Sequence, residues 1–320
     1  MPLFLGIDGG GTATRALLCD ETGRTLGAGS GGVANHLHAG WAGATESVGA
    51  AVRAAFAAAN LTPEPCAAVF LGMAAASSDE ARNRWREIAL KLGLAATPAA
   101  IGVDHDIRIA LAGGLAGRPG IALIAGTGSA CFGRTTDGTT WRAGGWGSIL
   151  DDGGGGYWLG LRGISAAIRA ADGRGPQTTL TDRILARLGV ANLREIVTRL
   201  HGGTLTRPDI ARVAEDVMQA AVDGDQPARE ILARGAVELA TMVSAVAEKL
   251  FQHGNAEVCL CGSVATAPEF RPQIEAATTQ AAPTVRVVTT ELSPVAGAAL
   301  LALELGGREI SGEIRSALAR

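Results

Sequence analysis

The stretch "LGIDGGGTATRALLCDETGRTLG", Leu5 to Gly27, sets three consecutive glycines between two apolar runs. Glycine is a poor strand residue, because it loses more backbone entropy on folding than any other and packs no side chain. A strand end that carries three of them needs the backbone itself at that place. A tight turn of glycines presents successive N–H groups to an anion, and no Cβ blocks the approach of phosphate oxygens. The hydroxyls of Thr12 and Thr14 add donors, and Asp8, at the strand end, is positioned to hold a magnesium ion through water. The plain alternative is a hairpin turn or a bulge. The segment is not a P-loop, since the Gly-Lys pair followed by Ser or Thr is absent, and a strand follows where the dinucleotide fingerprint needs a helix.

The same unit occurs again. Ile121–Gly145, "IALIAGTGSACFGRTTDGTTWRAGG", repeats the order of apolar strand, glycine-threonine turn, apolar strand, Asp-Gly turn and third strand. Two copies of one supersecondary unit predict a duplicated α/β architecture, two lobes each carrying a glycine turn. Working outward, Leu3–Ile7, Arg15–Cys19, Thr25–Gly29, Ala68–Gly72 and Ile101–Asp104 read as strands. Ala44–Ala59, Ser78–Leu92 and Ile107–Leu111 read as helices, the second with a Ser78 cap. Gly156 to His253 is mainly helical, and the strand Glu257–Cys261, helix Pro268–Thr279, strand Val285–Val288 and helix Pro294–Leu305 follow. The glycine-rich Gly113–Gly120 marks the boundary, giving lobes 1–117 and 118–320, with the last helix packing back on the first lobe. The small residues of "VAGAALLALEL" suit close packing at a hinge between the lobes.

Composition narrows the function classes. A chain of 320 residues, 47% hydrophobic, buries a sizeable core. A net charge of -3 offers no basic surface for nucleic acid. The start of the sequence has no basic leader, and nowhere do eighteen apolar residues run together, so the expectation is a cytoplasmic protein without a membrane partner. Cys19, Cys66, Cys131, Cys259 and Cys261 form no CxxC pair and lie mostly in apolar strands, as small buried hydrophobes do. Cys259 and Cys261 alternate along a strand and share a face. His36, His38 and His105 lack metal-ligand spacing, which leaves the magnesium carried by ATP as the expected metal.

Five ordered stretches carry a resemblance: GIDGGGTATR (Gly6–Arg15), VDHD (Val103–Asp106), IAGTGS (Ile124–Ser129), GGWGSILDDGGGGYWLG (Gly144–Gly160) and VCLCGSVA (Val258–Ala265). Together they resemble the superfamily of ATP-binding folds that holds sugar kinases, actin and heat-shock chaperones, in the branch of N-acetylglucosamine kinases, glucosamine kinases and BadF/BcrA-type ATPases. The resemblance implies two actin-like (ribonuclease H-like) lobes with a cleft, the second with a helical insertion. It implies a first phosphate loop of Gly9 to Thr12 with Asp8 and Arg15, and a second of Gly126, Thr127 and Gly128. Gly262 and Ser263 would lie against the adenosine. Asn35, Ser129, Gly145, Trp146 and Asp152 would meet the sugar, and Asp106 would be the catalytic base. A homodimer is the assembly the resemblance allows.

The chemistry of these residue types agrees. Phosphoryl transfer needs positioning, charge neutralisation and a carboxylate to take the acceptor hydroxyl's proton. The resemblance favours Asp106, whose spacing to Thr127 matches the family's pattern, over Asp104, which would lie inside the strand; either acid could merely cap the following helix. Trp146 offers apolar surface to a pyranose and Asp152 a planar acceptor, while Tyr157 and Trp158 read as helix core. Relatives carry an acidic or amide residue and then Gly-Ser after that aspartate, where this chain has Gly153 to Gly156. The leading expectation is an ATP-dependent kinase of the 6-hydroxyl of N-acetylglucosamine, with glucosamine next. An ATPase that activates a dehydratase through a bridging iron–sulfur cluster, and a sugar sensor without chemistry, are the other classes. Exposed interface cysteines would mark the ATPase; loss of Asp106 or of the turns would mark the sensor.

Overall fold

In a computed structural model that describes every residue except His253, the meander predicted around the first glycine turn is present as β1 (Leu3–Gly9), β2 (Thr14–Asp20) and β3 (Thr25–Gly31). β1 and β2 pair antiparallel from Leu3↔Asp20 to Gly9↔Thr14, so the turn closes directly on the last pair. On its other side β1 runs parallel to β4 (Ala68–Met73), and β4 runs parallel to β5 (Ile101–His105). The second meander is β6 (Gly120–Ala125), β7 (Ser129–Arg134) and β8 (Thr140–Gly144); β6 runs parallel to β9 (Ala256–Cys261), and β9 runs parallel to β10 (Val285–Val288). The sheet orders β3-β2-β1-β4-β5 and β8-β7-β6-β9-β10 coincide strand for strand, which is the duplication that the repeated turns predict.

The chain divides into two compact units, one of Met1–Pro119 with Thr289–Arg320 and the other of Gly120–Val288. In the first, α1 (His36–Ala58) covers one sheet face. Gly27, Gly29 and Gly31 of β3 lie so close that a Cβ on any of them would strike the α1 backbone. The sequence placed the start of this helix at Ala44; it starts at His36, and the discrepancy is a break at Gly40, where φ is 67°. On the other face, β1 lies against α10 (Pro294–Leu305), with the Gly6 backbone against Ala299, and α10 also packs on α3 (Asp106–Gly114). Ala296 to Leu303 are all buried, as expected of a helix covered on every side. α2 (Asp79–Lys91), begun by the Ser78 cap, packs beside β5, and the short α11 (Gly312–Leu318) sets Ile314 and Leu318 into the cluster around Leu17 and Cys19.

This differs from the expected division in one respect. Both closing helices, from Thr289 onward, belong to the first unit, whereas the sequence reading gave the second lobe everything to 320 except a returning last helix. The small residues of α10 serve the first sheet and α3: Gly297 sits against the α3 backbone at Gly113.

In the second unit, α4 (Gly156–Ala171) and α7 (Arg207–Val222) pack closely, with Gly160 against the Ile210 carbonyl. α5 (Leu180–Leu188) and α6 (Leu193–His201) lie between them in sequence, and α8 (Gln226–Phe251) and α9 (Arg271–Ala281) complete the layer. His253, the expected end of the helical run, lies outside the described residues. Among those residues, no helix is long and apolar enough to cross a membrane.

Candidate active site

The first glycine turn is closed by the Gly10 amide donating to the Ala13 carbonyl at 3.0 Å, and the Ala34 amide donates to the Gly10 carbonyl at 3.2 Å. The amides of Gly11, Thr12 and Ala13 have no hydrogen bond among the described residues, and a Cβ on Gly11 would meet nothing within 4 Å. Three adjacent donors are therefore unpaired among the described residues, with open space beside Gly11, which suits an anion. The Thr12 hydroxyl is exposed with them. Thr14 is not available, contrary to expectation: it is fully buried and donates to the Gly32 carbonyl at 2.7 Å, fixing the exit of β3.

Asp8 lies one residue before the end of β1, in register with Gly72 of β4, which is in register with Asp104 of β5. Asp106 opens α3 directly after β5, and its negative charge acts on Asp8. Burial first, and then Asp106, push the Asp8 carboxyl up from 3.8 to about 6, while Arg15, at 3.8 Å, offsets part of this. Neither acid of VDHD caps the helix. His105 does, its Nδ1 accepting from the Arg108 amide at 3.2 Å. The Asp106 Oδ1 accepts from the Ile107 amide at 3.0 Å, and the Asp104 Oδ1 from the His105 amide at 2.8 Å.

The second turn spends its carbonyls and keeps its amides. The Gly126 and Thr127 carbonyls accept from the Gly156 and Tyr157 amides at 2.7 and 2.9 Å, which anchors the turn on the start of α4. The Gly126 amide closes the turn on the Gly128 carbonyl at 2.9 Å, and those of Thr127 and Gly128 have no partner among the described residues. Gly262 follows β9 with φ of 87°, and a Cβ there would strike the Ala125 carbonyl. That carbonyl accepts from the Val264 and Ala265 amides, which sets Gly262 and the exposed Ser263 beside Gly126.

The expected sugar contacts divide into two groups. Asn35 caps α1, its Oδ1 accepting from the Leu37 amide at 3.0 Å, and its NH2 group stays available as a donor. Trp146 is 76% exposed on the loop after β8, with Ile149 at 95% and Leu150 at 81% beside it in sequence. The Gly145 carbonyl accepts from Arg142 at 2.8 Å. Ser129 and Asp152 are both enclosed. The Ser129 hydroxyl donates to the Gly153 carbonyl at 2.7 Å. Asp152 is 4% exposed and accepts at 2.7 Å from Arg207. Burial pushes the Asp152 carboxyl up, and Arg207 offsets part of this.

A sequence model described as the BadF/BadG/BcrA/BcrD ATPase family matches residues 5–302. The chain belongs to this family. The N-acetylmuramic acid/N-acetylglucosamine kinase of Clostridium acetobutylicum is 37% identical over 187 residues, 58% of this chain and 60% of that protein. A glucosamine kinase of Vibrio cholerae is 29% identical over 265 residues, 83% of this chain and 86% of that one. Among solved structures, a candidate N-acetylglucosamine kinase of Chromobacterium violaceum superposes with a TM-score of 0.75 at 28% identity, covering 95% of this chain and 99% of that one.

For a member of the BadF/BadG/BcrA/BcrD ATPase family, ATP is the nucleotide, and the free amides at both turns suit its phosphates. A divalent cation also fits: Asp8 is a mostly buried carboxylate that carries the repulsion of a second one, and a cation relieves both costs. The cysteines are all free and buried, and burial pushes the Cys19 and Cys66 thiols up to about 12. Cys259 and Cys261 alternate along β9, and the Cys259 thiol donates to the Ile121 carbonyl at 3.5 Å. His36 stacks on Trp41 at 4.1 Å. Among the described residues, no three potential ligands gather to hold a metal ion. Arg207 is the residue that the sequence reading missed. Its only local signal is the capping box of Thr206 and Asp209 at the start of α7, which says nothing of Asp152, 55 residues away in the chain.

Proposed function

We propose that this protein is an ATP-dependent, magnesium-requiring kinase of an amino sugar, N-acetylglucosamine before glucosamine, acting at the 6-hydroxyl. The observation that carries the reading is the Asp8–Asp106 pair beside the first turn of free amides: an acid for the nucleotide's metal and an acid for the acceptor, at the same end of the parallel strands β1, β4 and β5. In this reading the amides of Gly11, Thr12 and Ala13 and those of Thr127 and Gly128 bind phosphate oxygens, and Gly262 and Ser263 face the adenosine. Magnesium, held by Asp8 through water, neutralises phosphate charge when bound. Asp106 accepts the proton of the acceptor hydroxyl as its oxygen bonds to the γ-phosphorus and the bond to ADP breaks. The first unit offers a sugar the Asn35 NH2 and the Asp106 carboxylate.

The relatives named above support the amino-sugar acceptor, and the free amides support the nucleotide. The test is ADP release with magnesium and N-acetylglucosamine, glucosamine, N-acetylmannosamine, glucose or no sugar, the product being located by phosphorus NMR. Release stimulated by one amino sugar, with a 6-phosphate product, is the expected outcome. Equal release with and without every sugar overturns the assignment and leaves an ATPase.

A further inference from the structure

The break at Gly40 sets one turn of α1, residues 36–39, apart from the rest of the helix. Gly40 has φ of 67° and ψ of 165°, a conformation open essentially to glycine alone, yet a Cβ there would meet nothing within 4 Å. Glycine is thus needed at 40 for the direction of the chain and not for space. The detached turn folds so that the His36 ring lies flat on Trp41, directly after the break, with ring centroids 4.1 Å apart and planes at 15°. Trp41 in turn meets Trp85 of α2 at 5.5 Å, and Trp85 is fully buried in the core of the first unit. The His36 Nδ1 and the Trp85 Nε1 are buried without a hydrogen-bond partner among the described residues. Two unpaired nitrogens make this a poor way to gain stability, and apolar rings would fill the place better. Stacking, and not a hydrogen bond at Nδ1, holds the imidazole.

Asn35 stands at the root of this turn. Its carbonyl accepts from the His38 and Ala39 amides, both at 3.0 Å, and its Oδ1 from the Leu37 amide, which leaves the NH2 group for a ligand. The chain before it is tied to the first glycine turn and its exit strand: the Ala34 amide donates to the Gly10 carbonyl, and the Thr14 hydroxyl to the Gly32 carbonyl. The chain after it is tied down by the stack on Trp41. We propose that His36 is a positioning residue for the acceptor, which together with the chain reversal at Gly40 locks the turn that carries Asn35 and so aims the Asn35 NH2 group. The inference rests on the kinase reading, in which Asn35 meets the sugar. Because the Gly10–Ala34 bond lies on the other side of Asn35 from the stack, loss of the stack is felt by the acceptor and not by the nucleotide. A side chain that must be frozen at each binding event binds more weakly than one already held.

The test measures KM for the sugar, KM for ATP and kcat in wild type, His36→Ala, His36→Phe and Gly40→Ala. The Asn35 side-chain amide resonances, assigned by their loss in Asn35→Asp, are followed in the same variants without ligand. His36→Ala is expected to raise KM for the sugar by about tenfold and to leave KM for ATP within about twofold of wild type. Its Asn35 amide pair should move toward the shifts of an exposed, freely rotating asparagine. His36→Phe, which stacks on Trp41 and has no nitrogen to leave unpaired, should restore most of the sugar affinity and the wild-type resonances. Gly40→Ala, which strains the break, should resemble His36→Ala, and it keeps the test alive if that variant fails to fold. Wild-type KM for the sugar in His36→Ala and Gly40→Ala overturns the proposal, as does an equal rise in both KM values, which would mean general loosening. A His36→Phe as impaired as His36→Ala would mean direct contact of the imidazole with the sugar and overturns it too. If wild type phosphorylates no sugar, the kinase reading fails, while the Asn35 resonances still decide whether the stack holds the turn.

Discussion

Asp8 is held at a loss by the folded chain. Its carboxyl sits at about 6 in the fold against 3.8 for an ordinary aspartate, so the native state binds that proton more tightly than the unfolded chain does. The stability this contributes is fully present below 3.8 and is lost as pH rises through about 6. At neutral pH the ionised group is a liability that a metal relieves. Asp8→Asn should therefore melt at a higher temperature than wild type near pH 7.5, while binding of the magnesium–nucleotide complex drops at least about tenfold. Differential scanning fluorimetry with and without the complex reads both, and a lower melting temperature in the apo variant sinks the argument. Asp106→Asn separates chemistry from binding: kcat should fall by about 100- to 10,000-fold with affinity for an ATP analogue within a few-fold of wild type. Normal turnover in that variant would remove Asp106 as the base. The placement of these two acids was legible in the sequence, at the end of β1 before a glycine turn and at the start of α3 after β5. The surroundings of Thr14, Ser129 and Asp152 were not legible. What each side chain faces depends on Gly32, Gly153 or Arg207, residues 18 to 55 positions away that local pattern does not connect.

The turns make a different demand at the scale of the element, because their glycines are of two kinds. A Cβ on Gly11 or Gly126 would meet nothing within 4 Å, so the protein itself does not require glycine there. Space kept free of side chains beside unpaired amides is space for a ligand. Gly262, in contrast, combines φ of 87° with a clash against the Ala125 carbonyl, and there the fold requires it. Gly11→Ala and Gly126→Ala are expected to leave the melting temperature within about 2 °C of wild type yet weaken ATP-analogue binding by about tenfold. Gly262→Ala should cost about 1–3 kcal/mol of stability, seen as a lower denaturant midpoint. If the first two variants lose stability and keep affinity, the open space is not a phosphate site. Most elements were visible in the sequence, as apolar runs bounded by turn residues or cap signals such as Ser78 and Ser293 show. The start of α1 was lost to the break at Gly40, and α11, seven residues long, is too short to impose a period.

At the scale of the whole molecule, the duplication was legible because both glycine turns and both meanders repeat in order, but the allegiance of the last segment was not. A helix such as α10, buried all round and built of Ala, Gly and Leu, carries no polar stripe to say which sheet it covers. The answer lies in packing: Gly6 of β1 and Gly113 of α3 both meet its backbone, and both belong to the first unit. The first sheet thus depends on a helix supplied nearly two hundred residues later, whereas the second unit, 120–288, is one continuous segment. Fragment folding follows from this asymmetry. A fragment of residues 120–288 should unfold cooperatively by circular dichroism and give dispersed amide resonances, while residues 1–119 alone, with the β1 face uncovered, should aggregate or remain unfolded. Returning 289–320 through a short flexible linker should rescue the smaller piece. The ends to be joined are close, since Arg118 pairs with Glu291 at 2.5 Å and the Leu292 amide donates to the Gly113 carbonyl at 3.0 Å. A well-dispersed spectrum from 1–119 alone would show that α10 is dispensable to the first sheet, and the small residues at Gly6 and Gly297 would then need another explanation.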